Sequence, residues 1–227
     1  MTDVLASPPV AAGSRRRARR PRGRPPAGPP PWLLAAGLGL VGLTGLAGCR
    51  RDRRWAWAAL PALAAAAVLG WTGREPRRPV GSGRLLAPAD GVVQGVRADP
   101  DGRTRVATFV GPLQVPLSRA PIAGVVSSVR RVRGGAGAAF GSAGERNERV
   151  VWHLDTELGD VEVVQIAGAT GRRIATFLGA GDKVEGGTRI GRARAGSRVD
   201  VYLPPGVTPA VRVGMRVRAG QTRLDRD

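Results

Sequence analysis

Hydrophobic and polar positions follow two patterns along the chain. From Trp32 to Cys49 and from Trp55 to Trp71, apolar residues run almost unbroken in WLLAAGLGLVGLTGLAGC and WAWAALPALAAAAVLGW, with only RRDRR between them. As helices these runs reach roughly 25 to 27 Å at 1.5 Å per residue, close to the hydrocarbon thickness of a bilayer. Trp32, Trp55, Trp57 and Trp71 sit at the ends of the runs, where an interfacial aromatic belt places them. The pattern therefore predicts a membrane hairpin of two helices over 32–71; the alternative is a pair of buried core helices. From Arg84 onward the texture changes to short alternating runs punctuated by glycine. Strands are predicted at 91–96, 104–110, 123–132, 148–156, 159–168 and 198–204, with a last pair around VRVGMRVRAG. Many short strands and few helical stretches imply a mainly β fold, a sandwich or barrel of short strands.

Residues 1–31 are rich in Pro, Gly and Arg and lack apolar periodicity, so they form a predicted disordered tail. A linker over 72–84 leads to the β domain at 85–227. The GGAGAAFGSAG run from Gly134 to Gly144 reads as a flexible loop or disordered insertion. GDKVEGGTRIG and GMRVRAGQT each read as a turn between paired strands, with glycine where positive φ is needed.

Charge adds a bias toward anionic surfaces. The formal net charge is +19, and residues 1–80 carry 14 arginines against Asp3, Asp52 and Glu75, a net of +11. Nucleic acid is not the expected partner, because stacking aromatics are scarce beyond residue 80. A membrane surface suits clustered arginine equally well. Seven arginines precede the first apolar run and Arg74, Arg77 and Arg78 follow the second, against four in the connection. That balance favours both ends, and the β domain, on the cytoplasmic side of the cell membrane. Alternatively, basic residues, an apolar stretch and LAGC resemble a lipoprotein signal, which would export the chain and anchor it through a lipid on Cys49. A single cysteine excludes an internal disulfide and a cysteine metal cage, and no metal site is predicted.

Chemistry enters at residues 193–206, ARAGSRVDVYLPPG, where Gly196-Ser197 precedes an alternating run. Taken with APADG at 87–91, FVGPLQVPLSRAPIAGVV at 109–126, NER at 147–149, QIAG at 165–168 and RRI at 172–174, it resembles the short, membrane-associated form of the phosphatidylserine decarboxylase family. The resemblance covers residues 85 to about 220. It implies that the chain cuts itself between Gly196 and Ser197, giving chains 1–196 and 197–227, and that Ser197 becomes a pyruvoyl group, the cofactor. That carbonyl takes the serine headgroup amine of phosphatidylserine and then accepts electrons as carbon dioxide leaves, giving phosphatidylethanolamine. Its partners are then a phospholipid substrate and the membrane.

The resemblance also implies a serine activated by a histidine that an aspartate orients. The aspartate maps onto Asp90. The histidine's segment reads FVGPLQVPLSRAP here, with Gln114 where aspartate is usual and Pro116 where the histidine belongs. The only histidine, His153, is a possible substitute base; its plain reading is a strand histidine paired with Asp155. Arg119, Arg172 and Arg173 are candidates for holding the lipid phosphate or the membrane surface, or are ordinary solvated arginines. Two further readings stand beside the enzyme. One is an uncleaved, degenerate relative that binds lipid or a partner. The other is a biotinyl- or lipoyl-carrier sandwich, which is disfavoured because Lys183 precedes its turn and Met215 is far from it.

Overall fold

The structure, a computed structural model, describes residues 31–48, 54–73, 77–171, 173–194 and 196–226. The predicted tail up to residue 30, Cys49 and Arg172 lie outside the described residues. Two helices form where the apolar runs predict them, α1 (Pro31–Gly48) and α2 (Arg54–Gly73). They pack closely at Gly42, where a Cβ would stand 2.5 Å from the Leu63 side chain. Among the described residues, however, no helix is long and apolar enough to cross a membrane, so the spanning part of the expectation is not supported. The 18 residues of α1 reach only roughly 27 Å. α2 is longer, but it is alanine-rich and carries Arg54 and Pro61.

Beyond the helices the chain is mainly β. Its strands are β1 (Gly91–Ala98), β2 (Thr104–Val110), β3 (Leu117–Arg119), β4 (Gly124–Val132), β5 (Arg149–Thr156), β6 (Gly159–Ile166), β7 (Ala175–Thr176), β8 (Lys183–Val184), β9 (Arg189–Arg192), β10 (Ser197–Leu203) and β11 (Arg216–Val217). An eight-stranded antiparallel sheet runs β11-β1-β2-β10-β6-β5-β4-β8, and a small sheet runs β3-β9-β7. Alternation decides the faces. Val199, Val201 and Leu203 of β10 join Val106 and Val110 of β2, Trp152 and Leu154 of β5, and Ile190 of β9 in one apolar core. β10 lies in the middle of the large sheet, paired with β2 on one side and β6 on the other.

Two expectations about connections are corrected. The GDKVEGGTRIG turn joins strands that do not pair: β8 extends the large sheet beside β4, and β9 belongs to the small one. In GMRVRAGQT, β11 pairs with β1 rather than with a sequence neighbour. The glycine-rich run is held in place rather than loose. It leads into a 3₁₀ turn at Gly141–Arg146, and the Asn147 carboxamide clasps the amide and the carbonyl of Gly137.

Candidate active site

Ser197 opens β10 opposite Val110 of β2, and the Gly196 N–H donates to the Val110 carbonyl at 2.7 Å. Gly196 has φ +77°, a conformation that glycine adopts without steric cost. Ser197 faces the core side with Val199 and Val201 and is 1 % exposed. Its hydroxyl finds no hydrogen-bond partner among the described residues. A buried hydroxyl left without a partner carries a penalty of about 1–3 kcal/mol. A catalytic role is one of the reasons such a group persists.

Gly168, from QIAG, lies against the peptide between Gly196 and Ser197. A Cβ on it would fall 1.8 Å from the Gly196 carbonyl oxygen, 2.5 Å from the carbonyl carbon and 3.1 Å from the Ser197 nitrogen. Behind it, Ala167 is pinned: its N–H donates to the Glu148 carbonyl at 2.8 Å, and its carbonyl accepts Asn147 Nδ2 at 2.8 Å. The NER and QIAG motifs thus build one wall of the Gly196-Ser197 bond.

On the opposite face of β10, Arg198 and Asp200 are buried. Arg198 Nη1 donates to the Gly141 carbonyl at 2.8 Å, and its Nε lies 2.9 Å from Asp200 Oδ1. Burial pushes the Asp200 carboxyl above its ordinary range, against the pull of Arg198 and Arg105.

The other residues singled out by sequence fall apart spatially. Asp90 is buried next to β1 and bound on both oxygens by the Arg78 guanidinium; its Oδ1 also accepts the Ala219 N–H at 2.8 Å. The hydrogen bond to Asp90 raises the Arg78 pKa further. Because Val92 pairs with Phe109, Gly91 lies beside Val110, which pairs with Ser197. Asp90 is therefore two strand spacings from Ser197, roughly 10 Å, and something must bridge the gap if the two are to act together. Pro116 does not: its carbonyl accepts the Ala193 N–H at 3.1 Å, and its side chain has no group that can take up or release a proton. Gln114 instead closes a local turn, accepting the Gly111 N–H.

His153 stands opposite Glu162, whereas Arg198 stands opposite Ile166. It is thus displaced roughly 17 Å along the strands from Ser197, and two strands away. Its partner is Asp160, with Nδ1 2.9 Å from Oδ2, rather than the expected Asp155. The structure does not bring this histidine to the serine. Arg119 is tied to the surrounding chain: its Nη1 donates to the Gly187 carbonyl at 2.7 Å and its backbone N–H to the Pro88 carbonyl at 2.8 Å. Arg173 is exposed. Among the described residues no His, Cys, Asp and Glu group could hold a metal ion. Sequence reasoning missed Gly168, Arg78 and Arg198. Gly168 and Arg198 had a signal, as residues of motifs already noted; Arg78 had none.

A family model described as phosphatidylserine decarboxylase matches residues 65–225. The chain belongs to the phosphatidylserine decarboxylase family. It is 52 % identical over 204 residues to a phosphatidylserine decarboxylase proenzyme of Streptomyces griseus, covering 88 % of this chain and 92 % of that one. A proenzyme of the same description from Thermobifida fusca is 54 % identical, covering 88 % and 91 %. A putative archaetidylserine decarboxylase proenzyme of Halobacterium salinarum is 40 % identical, covering 72 % and 83 %. The match starts inside α2, so the decarboxylase family's likeness extends upstream of the β domain.

Proposed function

We propose that the chain is a phosphatidylserine decarboxylase proenzyme that cuts itself at Gly196-Ser197, leaving a pyruvoyl group at position 197. The observation that carries the reading is the Ser197 hydroxyl, buried and unpartnered, at the mouth of a central strand beside a glycine of positive φ. The names of the relatives support it, since each is a proenzyme of a serine-lipid decarboxylase. The pyruvoyl carbonyl supplies the electron sink for loss of carbon dioxide. The chain's residues hold it: β2 and β6 flank β10, and the pairings from Arg198 to Tyr202 keep the 197–227 chain in the sheet after the cut.

The substrate is a lipid, and the helix pair suits a lipid surface. α1 exposes Leu33, Leu34, Leu40, Val41, Leu43 and Leu46, and α2 exposes Leu60, Val68 and Trp71, a larger apolar surface than a solvated helix pair ordinarily shows. The Trp71 indole donates to the Leu113 carbonyl at 2.8 Å, tying α2 to the loop after β2. In this reading the helices rest on the cytoplasmic face of the cell membrane and deliver phosphatidylserine to the β domain.

The test is the intact mass of the purified full chain, followed by release of carbon dioxide from phosphatidylserine vesicles. Two chains split after Gly196, with the smaller blocked at its N-terminus, support the reading. A single uncut chain of 23.6 kDa overturns it and leaves an inactive lipid-binding relative.

A further inference from the structure

The bond to be cut lies between two backbones that cannot retreat, and this decides what Gly168 does. On one side, the Gly196 N–H is fixed to the Val110 carbonyl at 2.7 Å. On the other, the chain through Ala167 is fixed by Glu148 and Asn147, and the Gly168 carbonyl accepts the Gly171 N–H at 3.2 Å in a tight turn. The three atoms that a Cβ at 168 would strike are the carbonyl oxygen, carbonyl carbon and amide nitrogen of the scissile peptide, all of them backbone. They cannot swing aside as a flexible side chain would.

We infer that Gly168 is a positioning residue for self-cleavage, holding the Gly196 carbonyl against the Ser197 hydroxyl by direct backbone contact. The inference rests on the self-cleavage reading above. In the first step Ser197 Oγ bonds to the Gly196 carbonyl carbon, the C–N bond breaks, and the hydroxyl proton passes to the nitrogen, giving an ester and a free amine. In the second, Ser197 loses its Cα proton and the Cβ–Oγ bond breaks, releasing the Gly196 carboxylate and dehydroalanine. Water then converts the dehydroalanine to the pyruvoyl group with loss of ammonia. Gly168 acts on the first step, where attack depends on how the carbonyl is presented, and misplacement by about 1 Å can cost on the order of 10²-fold. Orientation by the scaffold matters the more here because Pro116 stands where the family's base would be.

The experiment compares the full-length parent with Gly168→Ala, following conversion to two chains by intact mass. Hydroxylamine, which cleaves esters but spares amides, reports whether the first step has occurred. Gly168→Ala is also placed in a Ser197→Ala chain, where no cut is possible, to read folding alone by thermal unfolding. The expected result is a rate about 10²-fold lower, no hydroxylamine-sensitive ester, and a folded double variant. A Gly168→Ala chain that cuts at close to the parent rate, or that accumulates the ester, overturns the inference. If the double variant does not fold, Asn147→Ala decides: it loosens the same segment from behind without adding an atom, so slowed cleavage supports the inference and an unchanged rate overturns it. A parent that is itself uncut and insensitive to hydroxylamine defeats the self-cleavage reading, and the inference with it. A parent that cuts alongside an unaffected Gly168→Ala defeats the inference alone.

Discussion

Arg78 grips Asp90 through both carboxylate oxygens, with Nη1 2.5 Å from Oδ1 and Nη2 2.8 Å from Oδ2. Asp90 is thereby the anchor of the segment preceding the strands. Arg78→Gln takes the guanidinium from a largely buried carboxylate and leaves the Ala219 N–H donating to its Oδ1. The expected loss of stability is about 1–3 kcal/mol, read as a lower urea midpoint. Arg78→Lys keeps the charge but not the fork, so it recovers only part of the loss. An unchanged midpoint in Arg78→Gln would show the pair to be energetically idle.

Pro116→His puts a proton acceptor at the position where the resemblance places a histidine. General base catalysis typically contributes 10² to 10⁴-fold. With Asp90 held by Arg78, the expected acceleration of self-cleavage is at the lower end, about 10²-fold. The rate should then fall as the pH drops through about 6.5, where an ordinary imidazole becomes protonated. His153→Ala is expected to leave the cleavage rate unchanged, since its ring is paired with Asp160 far from the serine. A slower His153→Ala chain would contradict that placement.

Asp200 and Arg198 form a buried pair on the outer face of β10, with side chains 2 % and 3 % exposed. Removing one partner outright strands the other charge, so Asp200→Leu alone, which leaves Arg198 without its oxygen partner, is expected to cost about 3–5 kcal/mol. Replacing both, as Arg198→Met with Asp200→Leu, is expected to cost much less. Chemical denaturation of the parent, Arg198→Met, Asp200→Leu and the double variant measures the coupling.

The same carboxyl has a pH signature. Its pKa is raised on folding by burial, so the folded state binds its proton more tightly than the unfolded state. Below the unfolded value both states are protonated and the group contributes nothing. As the pH rises from about 4 through the raised folded value, stability falls, and above that value the penalty is constant. Asp200→Asn should remove this component from a plot of stability against pH; an unaltered plot would assign it elsewhere.

Trp152 Nε1 donates to Gln165 Oε1 at 2.9 Å, and Gln165 Nε2 donates to Ser118 Oγ at 2.8 Å, all within the core. Gln165→Leu removes the middle of this relay and orphans a group at each end, at about 1–3 kcal/mol per group. The expected result is a lower melting temperature with a changed near-ultraviolet signal from Trp152. No change in melting would mean that the ends find other partners.

Much of this protein is determined by its sequence alone. Period-2 alternation was enough to locate β1, β2, β4, β5, β6 and β10, because each is long enough to show which face is apolar. β7, β8 and β11 have two residues each and cannot display a period at all; they exist because a neighbouring strand offers them hydrogen bonds. The proposed cut site is visible as a glycine and a serine ahead of such a strand. What surrounds it was decided by tertiary structure. Gly168 lies 28 residues before Gly196 and meets it only because β6 and β10 pair in register. Arg78 is one of many arginines until the sheet brings Asp90 beneath it. His153 took Asp160 over Asp155 because its partner came from across the β5–β6 hairpin rather than along its own strand. Local pattern fixes which residues share a face; which faces and ends then meet depends on pairing between distant segments, and no local pattern carries that information.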